Sequence, residues 1–272
     1  MATAAGFDLD GRVVIVTGGL GQLGASFANA LLAANARVAI IDTSEDRSRA
    51  KIPLAEAGED RLRLLAADVT SKPSLRAALA KIEAAWGAPH GLVNNAAIDA
   101  PPGAPASENG PFEDYPDASL DRMLDVNVKG VIFCCQVFGA AMAKAGRGSI
   151  VNISSIYGLL SPDQGLYQYR RDRGEDFYKP VGYSVTKSAL MNLTRYLAVY
   201  WGKAGVRVNT LTFAGVFANQ DPEFLTPYTR KVPLGRMAEP SDYDGPVVFL
   251  MSDAARYMTG ANMVVDGGFT AM

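Results

Sequence analysis

Histidine and cysteine are nearly absent from this chain of 272 residues, which contains one histidine and two cysteines. His90 has no second histidine to pair with, so a histidine-based triad or zinc site is not expected, and we predict no metal. Cys134 and Cys135 are sequence neighbours within an apolar helical pattern. That setting predicts buried thiols rather than a disulfide.

Blocks of like charge and long apolar runs are also lacking. The chain has 26 Lys and Arg against 28 Asp and Glu, so nucleic acid and anionic membranes are not expected partners. No apolar run approaches the roughly 18 residues of a spanning helix, and residues 1–6 lack the pattern of a signal peptide. We therefore expect a cytoplasmic protein with a single domain over 1–272.

A glycine-rich turn follows the first predicted strand. The β-branched run at 12–16 leads into Thr17, Gly18, Gly21 and Gly24, and an alanine-rich helical stretch comes next. Strand, glycine turn and helix together predict a pyrophosphate site, because the helix N-terminus offers free N–H groups and a positive dipole end. A tight turn without a ligand is the alternative.

Acidic residues follow the next two predicted strands. Asp42 ends the strand at 37–41, where a carboxylate accepts hydrogen bonds from the adenosine ribose and repels a 2′-phosphate, so NAD is favoured over NADP. Asp68 follows the strand at 61–67 and is placed either near the adenine or as a cap of the next helix. Strands alternating with helices in this way predict a parallel sheet.

Tyr183 and Lys187 lie four residues apart in a helix-compatible run, so on a helix both side chains face the same space. An ammonium beside a phenol lowers the tyrosine pKa, and the phenol can then exchange protons with a substrate. An exposed lysine beside a half-buried tyrosine is the alternative. The strand at 149–153 ends at Ser154 and Ser155, which places a serine hydroxyl at the same sheet edge.

Seven motifs occur in order: Thr17-Gly18-x-x-Gly21-x-x-Gly24, Asp42, Asn94-Asn95-Ala96, Asn127, Ser154-Ser155, Tyr183-x-x-x-Lys187 and Asp266-Gly267-Gly268. Together they resemble the short-chain dehydrogenase/reductase family. The resemblance implies an α/β fold: a Rossmann-type, doubly wound, seven-stranded parallel sheet with helices on both faces. It also implies a nicotinamide cofactor and a homodimer or homotetramer built on the helices at 119–145 and 183–203.

The resemblance further assigns the site residues. Tyr183 exchanges the substrate proton, Lys187 lowers its pKa and holds the nicotinamide ribose, Ser155 stabilises charge on the substrate oxygen, and Asn127 positions a relay water. Ser155 is preferred to Ser154 because the family's serine is the second of such a pair. The implied cofactor contacts are Gly18, Gly21, Gln22, Leu23, Gly24, Asp42, Asp68, Val69, Asn94, Ala96, Val216, Tyr183 and Lys187.

Three motifs depart from the family's pattern. Gln22 replaces the middle glycine of classical members, and the resulting spacing is that of extended members, which include sugar-nucleotide epimerases. Ala97 replaces the last glycine of Asn-Asn-Ala-Gly. Phe213 and Ala214 replace a Pro-Gly that normally lies against the nicotinamide. An NAD-retaining epimerase or dehydratase is therefore an alternative.

Three loop insertions, near 99–117, 161–180 and 213–240, are expected to carry substrate selectivity. The second lengthens the connection between Ser155 and Tyr183 and is interpreted either as a pocket wall or as a solvated or subunit-contacting loop. The third is interpreted as a lid or as a static loop. The second insertion, the glycine turn and the C-terminal Asp-Gly-Gly-Phe-Thr-Ala also resemble a subgroup associated with sugar modification, including flagellin-glycan proteins.

The sequence thus predicts an NAD-dependent oxidoreductase. Its substrate is a secondary alcohol, including a sugar or other polyhydroxylated compound, which it interconverts with the ketone or lactone. A non-catalytic dinucleotide sensor is the alternative from another class. That alternative fits less well, because a sensor does not need the serine, tyrosine and lysine together.

Overall fold

The structure is a computed structural model that describes residues 6–99 and 106–272. Its seven strands are β1 Val13–Thr17, β2 Arg37–Asp42, β3 Leu62–Ala66, β4 Gly91–Asn94, β5 Gly148–Ser155, β6 Val206–Phe213 and β7 Asn262–Val265. All pairs are parallel, in the order β3-β2-β1-β4-β5-β6-β7. The predicted doubly wound α/β fold is confirmed.

Helices cover both faces of the sheet. They are α1 Gln22–Ala33, α2 Lys72–Trp86, α3 Asp117–Lys144, α4 Gln168–Asp172, α5 Val181–Trp201, α6 Pro222–Arg230 and α7 Asp244–Met251. Because side chains alternate along a strand, Val14 and Val16 pack with α1 and α7, while Val13 and Ile15 pack with α2, α3 and α5. Strand β1 is accordingly buried on both faces.

The strand order reverses direction between β1 and β4. In an open parallel sheet, the crevice at the carboxyl ends of the strands beside such a reversal is the usual ligand site. The glycine turn after β1, the end of β4 and the end of β5 therefore lie together at one edge. This arrangement positions the site described below.

Helix α3 is irregular and unusually apolar. It contains two π-helical segments, Asp125–Gly130 and Cys135–Gly139. By length and composition alone it could cross a membrane, although scattered polar residues interrupt its apolar sequence. Half of its most apolar window is buried in the fold, where the helix packs against α2 and α5. Both cysteines on it are buried free thiols, as predicted.

Two of the segments predicted to be irregular contain helices. Helix α6 lies within 213–240, where Asp221 caps it by accepting a hydrogen bond from the Glu223 N–H and Pro222 occupies the first turn. Pro227 inside this helix hid the helical pattern in the sequence. The second insertion forms a 3₁₀ turn, Gln164–Tyr167, followed by α4. Of the loop predicted at 99–117, residues 100–105 lie outside the described residues.

The outer face of α5, where the family resemblance places a subunit contact, carries exposed apolar side chains. Val199 is 84% exposed, and the rings of Tyr196 and Tyr200 stack at 6.0 Å between centroids. The homo-oligomer itself stays a prediction.

Candidate active site

The turn between β1 and α1 leaves no room for a side chain at Gly18 or Gly24. Gly18 has φ +62°, a left-handed conformation that favours glycine, and a Cβ at Gly24 would lie 2.2 Å from the Gly18 oxygen. Among the described residues, no side chain caps α1 at its N-cap, Gly21. The first N–H groups of α1 and the positive end of its dipole therefore fit the pyrophosphate of a dinucleotide.

Asp42 ends β2 beside this turn. Its carboxylate accepts hydrogen bonds from the backbone N–H of Leu20 at 3.0 Å and of Thr43 at 2.8 Å. The carboxylate thus fastens the glycine turn. It also places a negative charge where the sequence predicts the adenosine ribose.

The two asparagines after β4 have different surroundings. Asn94 is buried in the sheet, where its amide donates to the Asn152 side-chain oxygen at 2.8 Å. Its contact with a cofactor stays a prediction. Asn95, which the prediction omitted, donates to the carbonyl oxygens of Thr17 and Gly18 at 3.1 Å. Asn95 therefore ties the glycine turn to β4. Strand alternation, which sends neighbouring side chains in opposite directions, was the signal that could have separated the two.

Asp68 and Val69 follow β3. The Asp68 carboxylate accepts hydrogen bonds from the Thr70 N–H and hydroxyl, both at 2.8 Å, while Ser71 is the residue that caps α2. Asp68 therefore stabilises a turn rather than the helix end itself. Val69 packs against Gly130 of α3, where a Cβ would lie 2.9 Å from it. Contacts of Asp68 and Val69 with an adenine stay predictions.

Ser155, Tyr183 and Lys187 converge at the carboxyl edge of the sheet. Ser155, at the end of β5, donates a hydrogen bond to the Tyr183 oxygen. Lys187, one turn after Tyr183 on α5, places Nζ 5.6 Å from the tyrosine ring centroid and donates to the Ile153 carbonyl oxygen at 2.9 Å. Ser154 instead donates to the Lys187 carbonyl oxygen at 2.9 Å, which supports the choice of Ser155.

Burial governs the proton affinities of this group. Burial raises the pKa of Tyr183, Asp99 raises it further, and the hydrogen bond from Ser155 opposes both. Burial lowers the pKa of Lys187 to about 8, and Asp99 opposes that shift. The sequence predicted the reverse for Tyr183, a pKa lowered by Lys187. The direction differs because loss of water disfavours both the phenolate and the ammonium.

Asn127 lies in the first π-helical segment of α3 and is buried. It exchanges two hydrogen bonds of 2.8 Å with the backbone of Ile98, accepting from the N–H and donating to the carbonyl oxygen. Its amide also donates to the Thr186 hydroxyl at 3.2 Å. Asn127 therefore joins the segment after β4 to α5, one residue before Lys187. Its part in a water relay stays a prediction.

Two departures from the family's pattern have clear places in the structure. Phe213 ends β6 and packs into the core, its ring stacked on Tyr243 with centroids 4.0 Å apart. Gln22 donates from its side-chain amide to the Phe217 carbonyl oxygen at 3.1 Å. A side chain that replaces a family glycine thus reaches the predicted lid segment. Leu23 and Val216 line the cavity next to these residues.

A cavity of about 1190 Å³ opens beside the converging side chains at the carboxyl edge of the sheet. Its lining includes Ser155, Tyr183 and Lys187, and it extends past Asn95 toward the glycine turn. The second insertion and the 213–240 segment supply the other walls, with aromatic side chains that include Tyr167, Tyr169, Phe177, Phe224 and Tyr228. Tyr157, in the turn after β5, also lines the cavity. The space therefore reaches both the glycine turn and Tyr183.

The second insertion is packed against the 213–240 segment. The buried Tyr167 ring lies 5.0 Å from Phe177 and 5.5 Å from Phe224 of α6, between ring centroids. Arg173 pairs with Asp221 at 3.1 Å. These contacts agree with the interpretation of a pocket wall and not with that of a solvated loop.

Comparisons with known proteins agree with this geometry. A family model described as enoyl-(acyl carrier protein) reductase matches residues 21–270. The 3-alpha-(or 20-beta)-hydroxysteroid dehydrogenase of Mycobacterium bovis is 35% identical over 263 residues, which cover 97% of this chain and 91% of that protein. The chain belongs to the short-chain dehydrogenase/reductase family. As a member, it is an oxidoreductase that acts on CH–OH groups.

Solved structures of this family share the whole fold. A short-chain dehydrogenase from Leptospira borgpetersenii with bound NAD+ has a TM-score of 0.84 at 31% identity, covering 99% of this chain and 97% of that chain. A gluconate 5-dehydrogenase from Burkholderia cenocepacia, in complex with NADP and tartrate, has a TM-score of 0.82 at 26% identity, covering 98% of each chain. Short-chain dehydrogenases use nicotinamide dinucleotides, and these two differ in which one they hold.

Replacing Gly24 with alanine is expected to abolish measurable dinucleotide binding, because the new Cβ would meet the Gly18 oxygen at 2.2 Å and push the turn apart. Fluorescence titration with NADH and NADPH measures the loss. Gly245→Ala is the control, since that glycine lies in α7 and its Cβ would meet nothing within 4 Å. Native affinity in a folded Gly24→Ala variant would contradict the assignment.

Proposed function

We propose that the protein is an NAD(H)-dependent oxidoreductase that interconverts a secondary alcohol and its ketone, with Tyr183 as acid and base. The convergence of Ser155, Tyr183 and Lys187 on a cavity that also reaches the glycine turn carries this proposal. A nicotinamide dinucleotide on that turn supplies the hydride donor or acceptor. The chain's own residues supply the proton and hold the substrate oxygen.

In the reduction direction, the Tyr183 phenol donates its proton to the carbonyl oxygen while the carbonyl carbon gains a hydride, and the C=O bond becomes CH–OH. The raised pKa of Tyr183 keeps the phenol protonated for this step. The Ser155 hydroxyl, which already meets the Tyr183 oxygen, stabilises the charge that develops on the substrate oxygen. Oxidation is the reverse: the phenolate takes the hydroxyl proton as the carbinol hydrogen leaves as hydride.

Lys187 supports the phenolate that remains after proton donation. Its ammonium lies one turn from Tyr183 in a space with little water, where opposite charges attract more strongly than at the surface. Because the pKa of Lys187 is lowered to about 8, the ammonium form dominates below that pH and is lost above it. Reduction should therefore weaken in alkaline solution.

Asp42 supports NAD as the cofactor. Its carboxylate is fixed at the glycine turn by the Leu20 N–H, so it cannot swing away from an added 2′-phosphate. The Leptospira relative carries NAD+, which agrees with this proposal, although the gluconate 5-dehydrogenase carries NADP. We infer the substrate class, a small polyhydroxylated alcohol, from the polar and aromatic groups that share the cavity wall. The gluconate 5-dehydrogenase supports this inference, because gluconate is a polyhydroxylated compound.

Tyr183→Phe tests the chemistry. The variant should bind NADH normally but lose turnover by about 100-fold or more, because the acid and base is gone while the cavity is kept. Steady-state NAD reduction over a panel of sugars, sugar acids, polyols and simple secondary alcohols measures it. Tyr196→Phe, on the exposed face of the same helix, is the matched control and should keep full activity. Comparable turnover in both variants would refute the role of Tyr183.

Asp42→Asn tests the cofactor. The wild type should prefer NAD to NADP in kcat/KM. The variant should lower that preference by about 10-fold, which corresponds to about 1.4 kcal/mol, because one charge that repels the 2′-phosphate is removed. Asparagine keeps an oxygen that can accept the Leu20 N–H, so the glycine turn is preserved. A wild type that prefers NADP would show the inference from Asp42 to be wrong.

A further inference from the structure

A second lysine lies beside the catalytic tyrosine. Lys179 belongs to the second insertion, four residues before Tyr183, and its Nζ is 4.8 Å from the tyrosine ring centroid. It forms an ion pair with Asp99, in the segment after β4. The Lys179 side chain is 13% exposed and that of Asp99 is 40% exposed. The pair is thus partly withdrawn from water at the site of proton exchange.

Both members of the pair line the same cavity as Ser155 and Tyr183. The Asp99 charge acts on Tyr183 and Lys187, because it adds to the raised pKa of Tyr183 and opposes the lowering of the pKa of Lys187. Asp163 of the same insertion forms another ion pair, with Lys231 at 2.8 Å, which differs from the first in exposure and in location. Its side chains are 43% and 46% exposed, and neither residue lines the cavity.

The chemistry of the pair defines what it recognises. It presents ammonium N–H donors and carboxylate acceptors side by side, and a hydroxyl group can accept from the first while it donates to the second. An alkyl group in that place would remove water from both charges and return no hydrogen bond, which is costly. Because the pair adjoins Tyr183, such a hydroxyl would stand on a carbon next to the reacting one.

We propose that Asp99 and Lys179 are specificity-determining residues that select vicinal diols, polyols and sugars over isolated secondary alcohols. The proposal rests on the function proposed above. One hydroxyl is oxidised at Tyr183, and its neighbour binds the ion pair and leaves the reaction unchanged. The aromatic wall formed by Tyr157, Tyr167 and Phe224 packs against the carbon skeleton.

The test compares butane-2,3-diol with butan-2-ol in NAD reduction, with kcat/KM divided by two for the equivalent carbons of the diol. The wild type should prefer the diol by about 10- to 100-fold, the value of a charge-assisted hydrogen bond. In the double variant Asp99→Asn/Lys179→Met, the ratio should fall to nearly one. The ratio cancels any general effect on Tyr183, because both alcohols use the same proton acceptor.

Lys231→Met is the matched control, since it removes a lysine from an ion pair of the same insertion outside the cavity, and it should keep the wild-type ratio. NADH titration checks that each variant is folded. If the double variant does not bind NADH, the single variant Asp99→Asn is measured in its place. A wild-type ratio near one, or a diol preference that survives the substitutions, would overturn the proposal. Absence of turnover with both alcohols and the whole substrate panel would instead remove the proposed function on which it rests.

Discussion

The ammonium of Lys187 is held out of water, with 4% of the residue exposed and the Ile153 carbonyl oxygen 2.9 Å from Nζ. Burial of an ammonium costs several kcal/mol, roughly, so the rest of the fold must stabilise this arrangement. Helix α5 carries Lys187 one turn after Tyr183, and the end of β5 supplies both the carbonyl and the Ser155 hydroxyl. As a result, a phenol with a raised pKa and a buried ammonium with a lowered pKa lie side by side at the cavity.

The parallel sheet makes this placement stable. Because all strands run in one direction, their carboxyl ends meet at one edge, where the glycine turn, Asp42 and Ser155 are brought together. Hydrogen bonds from two asparagines lock the edge: Asn95 holds the turn after β1, and Asn127 holds the segment after β4 against α5. The glycine turn and Tyr183 are thereby fixed to the same frame, while the second insertion and the 213–240 segment form the walls of the cavity between them.

Much of this could be predicted from the sequence, because strand ends in a parallel sheet and residues four apart on a helix have defined positions. The parallel sheet and the position of Lys187 one turn after Tyr183 followed from those rules, whereas the seven-stranded order of a Rossmann-type fold and the choice of Ser155 over Ser154 came from the family resemblance. Other features depend on tertiary context. Proline hid α6, burial reversed the expected pKa shift of Tyr183, and the partner of Lys179 is 80 residues away in the sequence. Only the folded chain shows that the second insertion packs as a cavity wall.

The pH dependence of ketone reduction tests the central claim most directly, namely that the half-buried Tyr183 gives its proton under the influence of the Lys187 charge. With NADH saturating and the concentration of 3-hydroxybutan-2-one varied, kcat/KM for the ketone should be constant below pH about 8 and fall above it. The fall is expected because the pKa of Lys187 is lowered to about 8, so its ammonium is lost there. A profile that stays flat or rises up to about pH 10, near the ordinary lysine pKa, would contradict it.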